Sequence, residues 1–450
     1  MKLPKVAALL SIMCILTTGC EASSESPENL LNDNIIYNKS RNELYTFINK
    51  SLDGTSLTLP RNSSQVGQIN ELDSNIIAFQ KKEDVNLSVN EVGFVLISKE
   101  ENRYVAQDSF LEEGEYIEYA NFYDLNNDGL DEVILLINKN SVTTMKIYSI
   151  KDNEIKKISD VEPTWLENHK KFTNMKIEVG FMNNDNKLDI LMMNYDNSSA
   201  NMYATVLNYD EHNNLEISNS VKITDVKSVQ DMYTTMGNIY NNKKGVVLSI
   251  PTLKESGYKT QILYMENNKL KKVFNDDNII FNYYYVPAKD TNNDGIIEIP
   301  VLNNKMIENY SSGSKASSII SWRKWNNKSG KNADTIFISQ VYYNYKDNFK
   351  FLVPDNLANK LYVQKNVSGD ISSYIFYYYD KNDKEPTELF QIGISSKSLV
   401  DETKANPKME SILAETDSNY YQLIVKDKNV FEKYDLTLDN MKEYFSIIYE

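Results

Sequence analysis

Two nine-residue stretches of this chain hold oxygen donors at a spacing that suits a hard cation. Asp124-Leu125-Asn126-Asn127-Asp128-Gly129-Leu130-Asp131-Glu132 and Asp290-Thr291-Asn292-Asn293-Asp294-Gly295-Ile296-Ile297-Glu298 share the pattern D-x-N-x-D-G-x-x-E. Positions 1, 3, 5 and 9 supply side-chain oxygens: Asp124, Asn126, Asp128 and Glu132 in one copy, Asp290, Asn292, Asp294 and Glu298 in the other. The carbonyl of position 7, Leu130 or Ile296, completes a set for one Ca2+, and glycine at position 6 permits the sharp turn that points the donors inward. An EF-hand would enter a helix and place a bidentate Glu at position 12. Here position 12 is Leu135 or Val301, and both loops run into apolar, β-prone segments, 133–136 and 299–302, so each joins two strands. Ordinary Asx and glycine turns without metal are the competing reading.

Other chemistry is sparsely signalled. His169 and His212 stand among polar residues, where a solvated position is expected, and no G-x-S-x-G, phosphate-cradling glycine loop or H-E-x-x-H occurs. No catalytic residue is assigned, although a glycosidase pair of carboxylates leaves no local signature. Tyr283-Tyr284-Tyr285, Tyr377-Tyr378-Tyr379 and Trp322 with Trp325 offer aromatic contacts for a glycan or a peptide. Alternation along a strand with one face in the core accounts for them equally well.

The elements that carry the loops recur. Aligned on loop position 5, the anchors are Glu71, Asp128, Asp185, Asn242 and Asp294, with separations of 57, 57, 57 and 52 residues. A period near 50 points to propellers or solenoids. The third copy, Phe181 to Asp189, keeps oxygen at positions 3, 5 and 9, loses it at 1, and has Asn186 in place of glycine; it is expected to turn but to bind calcium poorly. The copies at 67–75 and 238–246 read as turns only. A strand is expected after each loop (76–79, 133–136, 190–193, 247–250, 299–302), then a second (92–97, 144–150, 203–209, 261–264, 319–322), with the last strand of a unit leading into the next loop, as at 116–122 and 281–286. Four short antiparallel strands per unit make one propeller blade, with the apolar run after the loop expected innermost.

These loops and strands resemble the FG-GAP or VCBS repeats of the integrin-α-like β-propeller, over about residues 57–345. The resemblance implies calcium at Asp124, Asn126, Asp128, Leu130 and Glu132, and at Asp290, Asn292, Asp294, Ile296 and Glu298. The FG and GAP signatures are not intact, and five units with an added N-terminal strand at 57–59 permit five to seven blades. From about residue 349 the period breaks. Strands over 349–353, 361–364, 374–379 and 389–394, a hairpin over 412–425, and a helix capped by Thr437 with Leu438, Met441, Phe445 and Ile448 on one face predict a separate α+β domain over 346–450, a sixth blade being the alternative.

Lys2 and Lys5, an apolar run over 6–16 and Thr17-Thr18-Gly19-Cys20 resemble a bacterial lipoprotein signal over 1–19, with Cys20 lipidated and a flexible tether over 20–40. The apolar run is too short to span a bilayer. Cys14 would leave with the signal, and loss of two lysines takes the formal charge from -15 to -17. So acidic a chain repels nucleic acid and anionic lipid, leaving acyl chains as the hold on the membrane. The expectation is a lipid-anchored, extracytoplasmic, non-enzymatic binding or adhesion platform of mainly β structure, stapled by calcium, with a protein or glycan ligand. An envelope enzyme acting on glycans, or a scaffold recruiting another envelope protein, are the alternatives.

Overall fold

The apolar runs that follow the acidic loops do become strands, and the computed structural model shows why they do not alternate. Asp189–Asp196 is buried at every residue and Glu132–Lys139 at all but the last. Asp189–Asp196 lies second in its sheet, with Asn174–Gly180 on one side and Asn201–Tyr209 on the other, so it is not the edge strand that the expected innermost place requires. Central strands covered on both faces need no polar positions.

The structure describes residues 41–448 apart from 53, 64, 85–88, 162–173, 213, 304–316, 369–370, 381–384 and 399–410. The expected signal, Cys20, the tether over 20–40 and His169 lie outside the described residues. Among the described residues no helix is long and apolar enough to cross a membrane.

The chain divides into two compact units, Met1–Asn121 with Ile150–Lys156 and Phe122–Ser149 with Lys157–Glu450. In the first, Ser56–Leu57, Ile69–Leu72, Asn75–Asp84, Val89–Glu100 and Arg103–Glu113 form one antiparallel sheet. A helix over 41–51, ahead of the first repeat, lays Leu44, Phe47 and Ile48 against Ala78, Val95 and Ile97 of that sheet.

In the second unit Glu132–Lys139 pairs with Val142–Lys151, and further antiparallel sheets follow in chain order. One comprises Asn174–Gly180, Asp189–Asp196, Asn201–Tyr209, Leu215–Ile217 and Val221–Ile223; the next, Tyr233–Tyr240, Lys243–Pro251, Tyr258–Glu266, Lys269–Lys272 and Ile280–Asn282. Then come Ile299–Leu302, Ser317–Trp325, Thr335–Asn344 and Phe349–Val353, joined at the edge by Phe445–Ile447, and finally Leu361–Ser368, Ile371–Tyr378, Thr387–Ser396, Asn419–Ile424 and Ile412–Glu415.

The cores of this unit lie between consecutive sheets. Leu191, Met193 and Ala204 pack with Val246, Leu248 and Leu263 of the following sheet. Val247 and Ile262 pack in turn with Ile299 and Trp325. Ile319, Tyr342 and Phe349 share a core with Phe376, Phe390 and Phe445.

Side-chain bonds between sheets repeat at the same interval as the sequence. Lys176 Nζ donates to the Met232 carbonyl at 2.6 Å, 56 residues on, and Asn238 Nδ2 to the Gly295 carbonyl at 3.2 Å, 57 residues on. Asn278 Nδ2 reaches the Gly330 carbonyl at 3.0 Å across 52 residues, and Asn303 Nδ2 reaches Asn359 Oδ1 at 3.2 Å across 56.

Two expected elements differ. Of the expected strand at 281–286 only Phe281 and Asn282 lie in a strand, Ile280–Asn282, which pairs backward with Tyr258–Thr260. The closing helix runs Leu438–Tyr444 from its Thr437 cap, but Phe445 turns to φ -92°, ψ 137° and starts a strand paired with Phe349–Phe351. An unpaired sheet edge thus captures a β-prone Phe-Ser-Ile that helical spacing alone assigned to the helix. A second helix, Lys428–Lys433, starts at Asp427, whose Oδ1 accepts from Asn429 N and Val430 N. Thr335–Asn344 and Phe349–Val353 form a hairpin within one sheet, so the expected boundary at residue 345 falls in its turn.

Candidate metal centres

The three fullest loops share one hydrogen-bond skeleton. The N–H of position 2 donates to the position 9 carboxylate: Leu125 to Glu132 at 2.9 Å, Met182 to Asp189 at 2.7 Å, Thr291 to Glu298 at 2.6 Å. The N–H of position 5 donates to the position 3 asparagine Oδ1 at 2.9, 2.9 and 3.1 Å. That of position 7 donates to the position 5 Oδ1 at 3.0, 2.9 and 2.9 Å. Carboxylates that accept from their own loop's N–H groups fold the segment back on itself and hold the remaining lone pairs toward a common point.

Position 1 separates the loops. Gly129 N donates to Asp124 Oδ2 at 2.9 Å and Gly295 N to Asp290 Oδ2 at 2.8 Å. Both glycines stand at positive φ, +87° and +79°, with open space where a Cβ would project, so backbone conformation rather than crowding selects glycine there. In the third loop Asn186 adopts φ 66° instead, and position 1 is Phe181, whose ring lies 4.8 Å from the Lys244 ammonium. That loop keeps the turn without an acid at position 1, as its sequence predicts.

In the loop at 290–298, carboxylate oxygens of Asp290, Asp294 and Glu298 lie within 4.8 Å of one another, the one such acidic triple among the described residues. Full like charges at that distance repel by about 1 kcal/mol in water and about 3 kcal/mol at an effective dielectric near 20. Glu298 is fully buried, and its Oε1 has no hydrogen-bond partner while Oε2 accepts from Thr291 N and Oγ1. Burial, with the charges of Asp294 and Asp290 added, pushes the Glu298 carboxyl above its ordinary range against the bonds from Thr291. Asp294 is raised by its burial but drawn down, on balance, by Asn292, the Ile296 N–H and Lys324, whose ammonium is 3.2 Å from Oδ2. A buried anionic oxygen without a donor, beside two more carboxylates, fits a divalent cation held by Asp290, Asn292, Asp294 and Glu298.

The loop at 124–132 offers the same donor types. Glu132 is buried, and both its oxygens are engaged: Oε2 by Leu125 N, Oε1 by Asn126 Nδ2 at 3.1 Å. Burial raises its pKa to about 7, opposed by the Leu125 N–H and reinforced by Asp128, Asp124 and Asp131. Asp189 is likewise pushed up to about 7 by burial, partly offset by the Met182 N–H. The Asp128 N–H donates to Asp124 Oδ1 at 3.1 Å and to Asn126 Oδ1 at 2.9 Å, but the carboxylates do not form the close triple of the other loop. The carbonyls of Leu130 and Ile296 remain expected ligands on sequence grounds.

The weaker copies are tight turns, Asp73-Ser74 and Asn241-Asn242. Joints are linked in series: Asn184 Nδ2 donates to the Asn242 carbonyl at 3.2 Å, and Ile297 N to the Asn238 carbonyl at 2.8 Å.

The other flagged residues fall on both sides of the core. Trp322 and Trp325 are both buried but, three residues apart on one strand, they enter different cores, one with Val286, Ile320 and Val341 and the other with Val247, Ile262 and Ile299, so the strand is covered on both faces instead of alternating, and His212 is solvated. Tyr285 stacks on Tyr233 at 3.6 Å and 11°, with Tyr258 5.9 Å away. Tyr233 and Tyr258 open their strands at the end remote from the Asn241-Asn242 turn, so this cluster and the loop-bearing ends lie at opposite strand termini. Tyr233 and Tyr283 are exposed.

No known family profile matches the sequence, and no curated protein does. Solved structures of similar arrangement include a protein from Lactobacillus plantarum, at 8% identity over 70% of this chain and 81% of that one, TM-score 0.27. The β-propeller domain of the Trilobed protease from Pyrococcus furiosus aligns at 9% identity over 72% and 88%, TM-score 0.27. The exotype rhamnogalacturonan lyase YesX aligns at 9% identity over 74% and 84%, TM-score 0.29.

Proposed function

We propose that this chain is a lipid-anchored, extracytoplasmic β-propeller of the FG-GAP/VCBS type, with Ca2+ at 124–132 and 290–298 as structural staples and a non-enzymatic role in binding a protein or glycan. Sheets that follow in chain order, pack face to face and exchange hydrogen bonds one repeat apart support the propeller. The sheet of Leu361–Ser368 and its partners takes the place of a further blade, and the hairpin across residue 345 supports continuity.

The observation that carries the calcium reading is the donor-free Glu298 Oε1 beside Asp290 and Asp294. Equilibrium dialysis against 45Ca2+ tests it: two ions per chain are expected, one after Asp294→Ala and none after Asp128→Ala is added. Uptake unchanged by both substitutions would overturn the reading. Incorporation of labelled palmitate, lost in Cys20→Ser, tests the anchor.

A further inference from the structure

Tyr209 closes the strand Asn201–Tyr209 with 4% of its surface exposed, and its hydroxyl is buried without a hydrogen-bond partner. A buried hydroxyl left unpaired is costly, so its retention calls for a partner.

Register identifies its counterparts. Leu207 faces Ile190, Ile262 faces Val247 and Arg323 faces Ile299, each of these partners being the first residue after a nine-residue loop or turn segment. Two residues beyond Leu207, Ile262 and Arg323 stand Tyr209, Tyr264 and Trp325. The last two have partners of their own: the Tyr264 hydroxyl is 3.2 Å from Ser329 Oγ, and Trp325 Nε1 donates to the Lys328 carbonyl at 2.6 Å.

This position links consecutive sheets. The Tyr264 and Trp325 rings lie 5.0 Å apart across two sheets. Lys243, at position 6 of the segment 238–246, sets its ammonium 4.9 Å from the Tyr264 ring and 5.3 Å from that of Trp325, and donates to Asn327 Oδ1 at 2.8 Å. There a cation on one sheet's turn meets the aromatic of the next. Tyr209 holds the matching place in the sheet that follows the loop 124–132. Burial first, then the charges of Glu132 and Asp128, hold its hydroxyl above the usual tyrosine range.

We propose that Tyr209 is a positioning residue for the cation of the 124–132 loop, donating its hydroxyl hydrogen to a carboxylate ligand or to a water on the ion and so tying that joint to the following sheet. This rests on the calcium reading of the loop. The side chain contributes no ligand to the ion itself; it restrains the shell.

The test is calcium titration calorimetry on the full mature chain, with each loop isolated in turn. In an Asp294→Ala background, which leaves 124–132 to bind, Tyr209→Phe is expected to weaken calcium binding about three- to tenfold, the loss of one hydrogen bond. In an Asp128→Ala background, which leaves 290–298, the same change should leave affinity as it was, and Tyr264→Phe should alter neither loop. Calcium should also perturb the tyrosine ultraviolet spectrum of the Asp294→Ala protein, less so once Tyr209 is Phe. Uptake in the Asp294→Ala background that is indifferent to Tyr209→Phe would overturn the hydroxyl's role alone. No uptake in that background would sink the loop reading, and this inference with it.

Discussion

Replacing Glu298 by Gln is expected to raise stability without calcium and lower it with calcium. Glu298 lies within 4.8 Å of the carboxylates of Asp290 and Asp294. The two aspartates are on the surface, so the low end of the Coulomb range applies, about 1 kcal/mol per pair, and the Lys324 ammonium on Asp294 offsets part of one pair. Glutamine keeps an oxygen for Thr291 and turns an amide toward the aspartates, so the chelated protein should gain about 1 kcal/mol. With calcium at tenfold over its Kd, the parent gains about 1.4 kcal/mol per site, which the variant forfeits. The two effects have opposite signs. The variant keeps its gain of about 1 kcal/mol in calcium, so its net loss there is only about 0.4 kcal/mol, and thermal midpoints should cross, by about +1 °C in chelator and about -0.5 °C in millimolar calcium for a chain of this size. A variant that loses stability equally in both media, or keeps the parent's calcium shift, would refute the ion-site argument.

The other outcomes involve different physics. Asp189 has its pKa raised to about 7 by burial, so its contribution to stability is full below the unfolded carboxyl range and is lost as pH rises through about 7. Asp189→Asn should therefore gain on the parent from pH 4 to 8, by on the order of 3 kcal/mol in urea unfolding, and a pH-independent difference would contradict the burial account. A Cβ on Gly257 would collide with the Phe281 ring and the Asn282 carbonyl, so Gly257→Ala should cost about 1–3 kcal/mol by the same measurement; a neutral result would mean that the segment 280–282 is free to shift. Tyr233→Ala removes an exposed ring and should cost at most about 1.5 kcal/mol of folding stability, yet abolish binding to any glycan or peptide that the parent retains on a printed array. Retained binding would place the ligand elsewhere.

What the sequence made legible was local. The acidic loops could be read because the turn, its donors and its glycine all lie within nine residues, and apolar runs after them could be read because central strands show no alternation. The order of strands within a sheet could not, since it depends on partners that periodicity does not name. The spacing of Phe445 fits the helix before it; pairing of Phe445–Ile447 to Phe349–Phe351, almost a hundred residues earlier, decides otherwise. Tyr283, Tyr284 and Tyr285 resemble a strand by composition, but Tyr285 is held by Tyr233 and Tyr284 by its contact with Ser318, side-chain contacts that replace the ladder. Tyr209 carried no signal at all: its place emerges only when the registers of three sheets are laid over one another.

Lysines stand near the repeats whose loops have lost the acid at position 1. At the segment 238–246 a turn of one sheet meets an aromatic side chain of the next, Trp325, and a positive charge suits such a joint because it attracts a ring face and oxygen acceptors together. In the segment 238–246 the charge is covalent: Lys243 supplies it, position 1 is Asn238, and its amide bonds instead to the Gly295 carbonyl. In the third loop Lys187 bonds to the Asp210 carbonyl at 2.6 Å and Lys244 lies over Phe181, so again lysines stand where an acid at position 1 is missing. A lysine needs no free ion, whereas under the proposed calcium reading a loop of three carboxylates is held tightly only when the ion is bound. A chain with both kinds of joint should therefore loosen selectively when calcium is withdrawn. Amide exchange should quicken first at 124–132 and 290–298 and last at 238–246, and uniform protection across all three would show that the joints do not differ in kind.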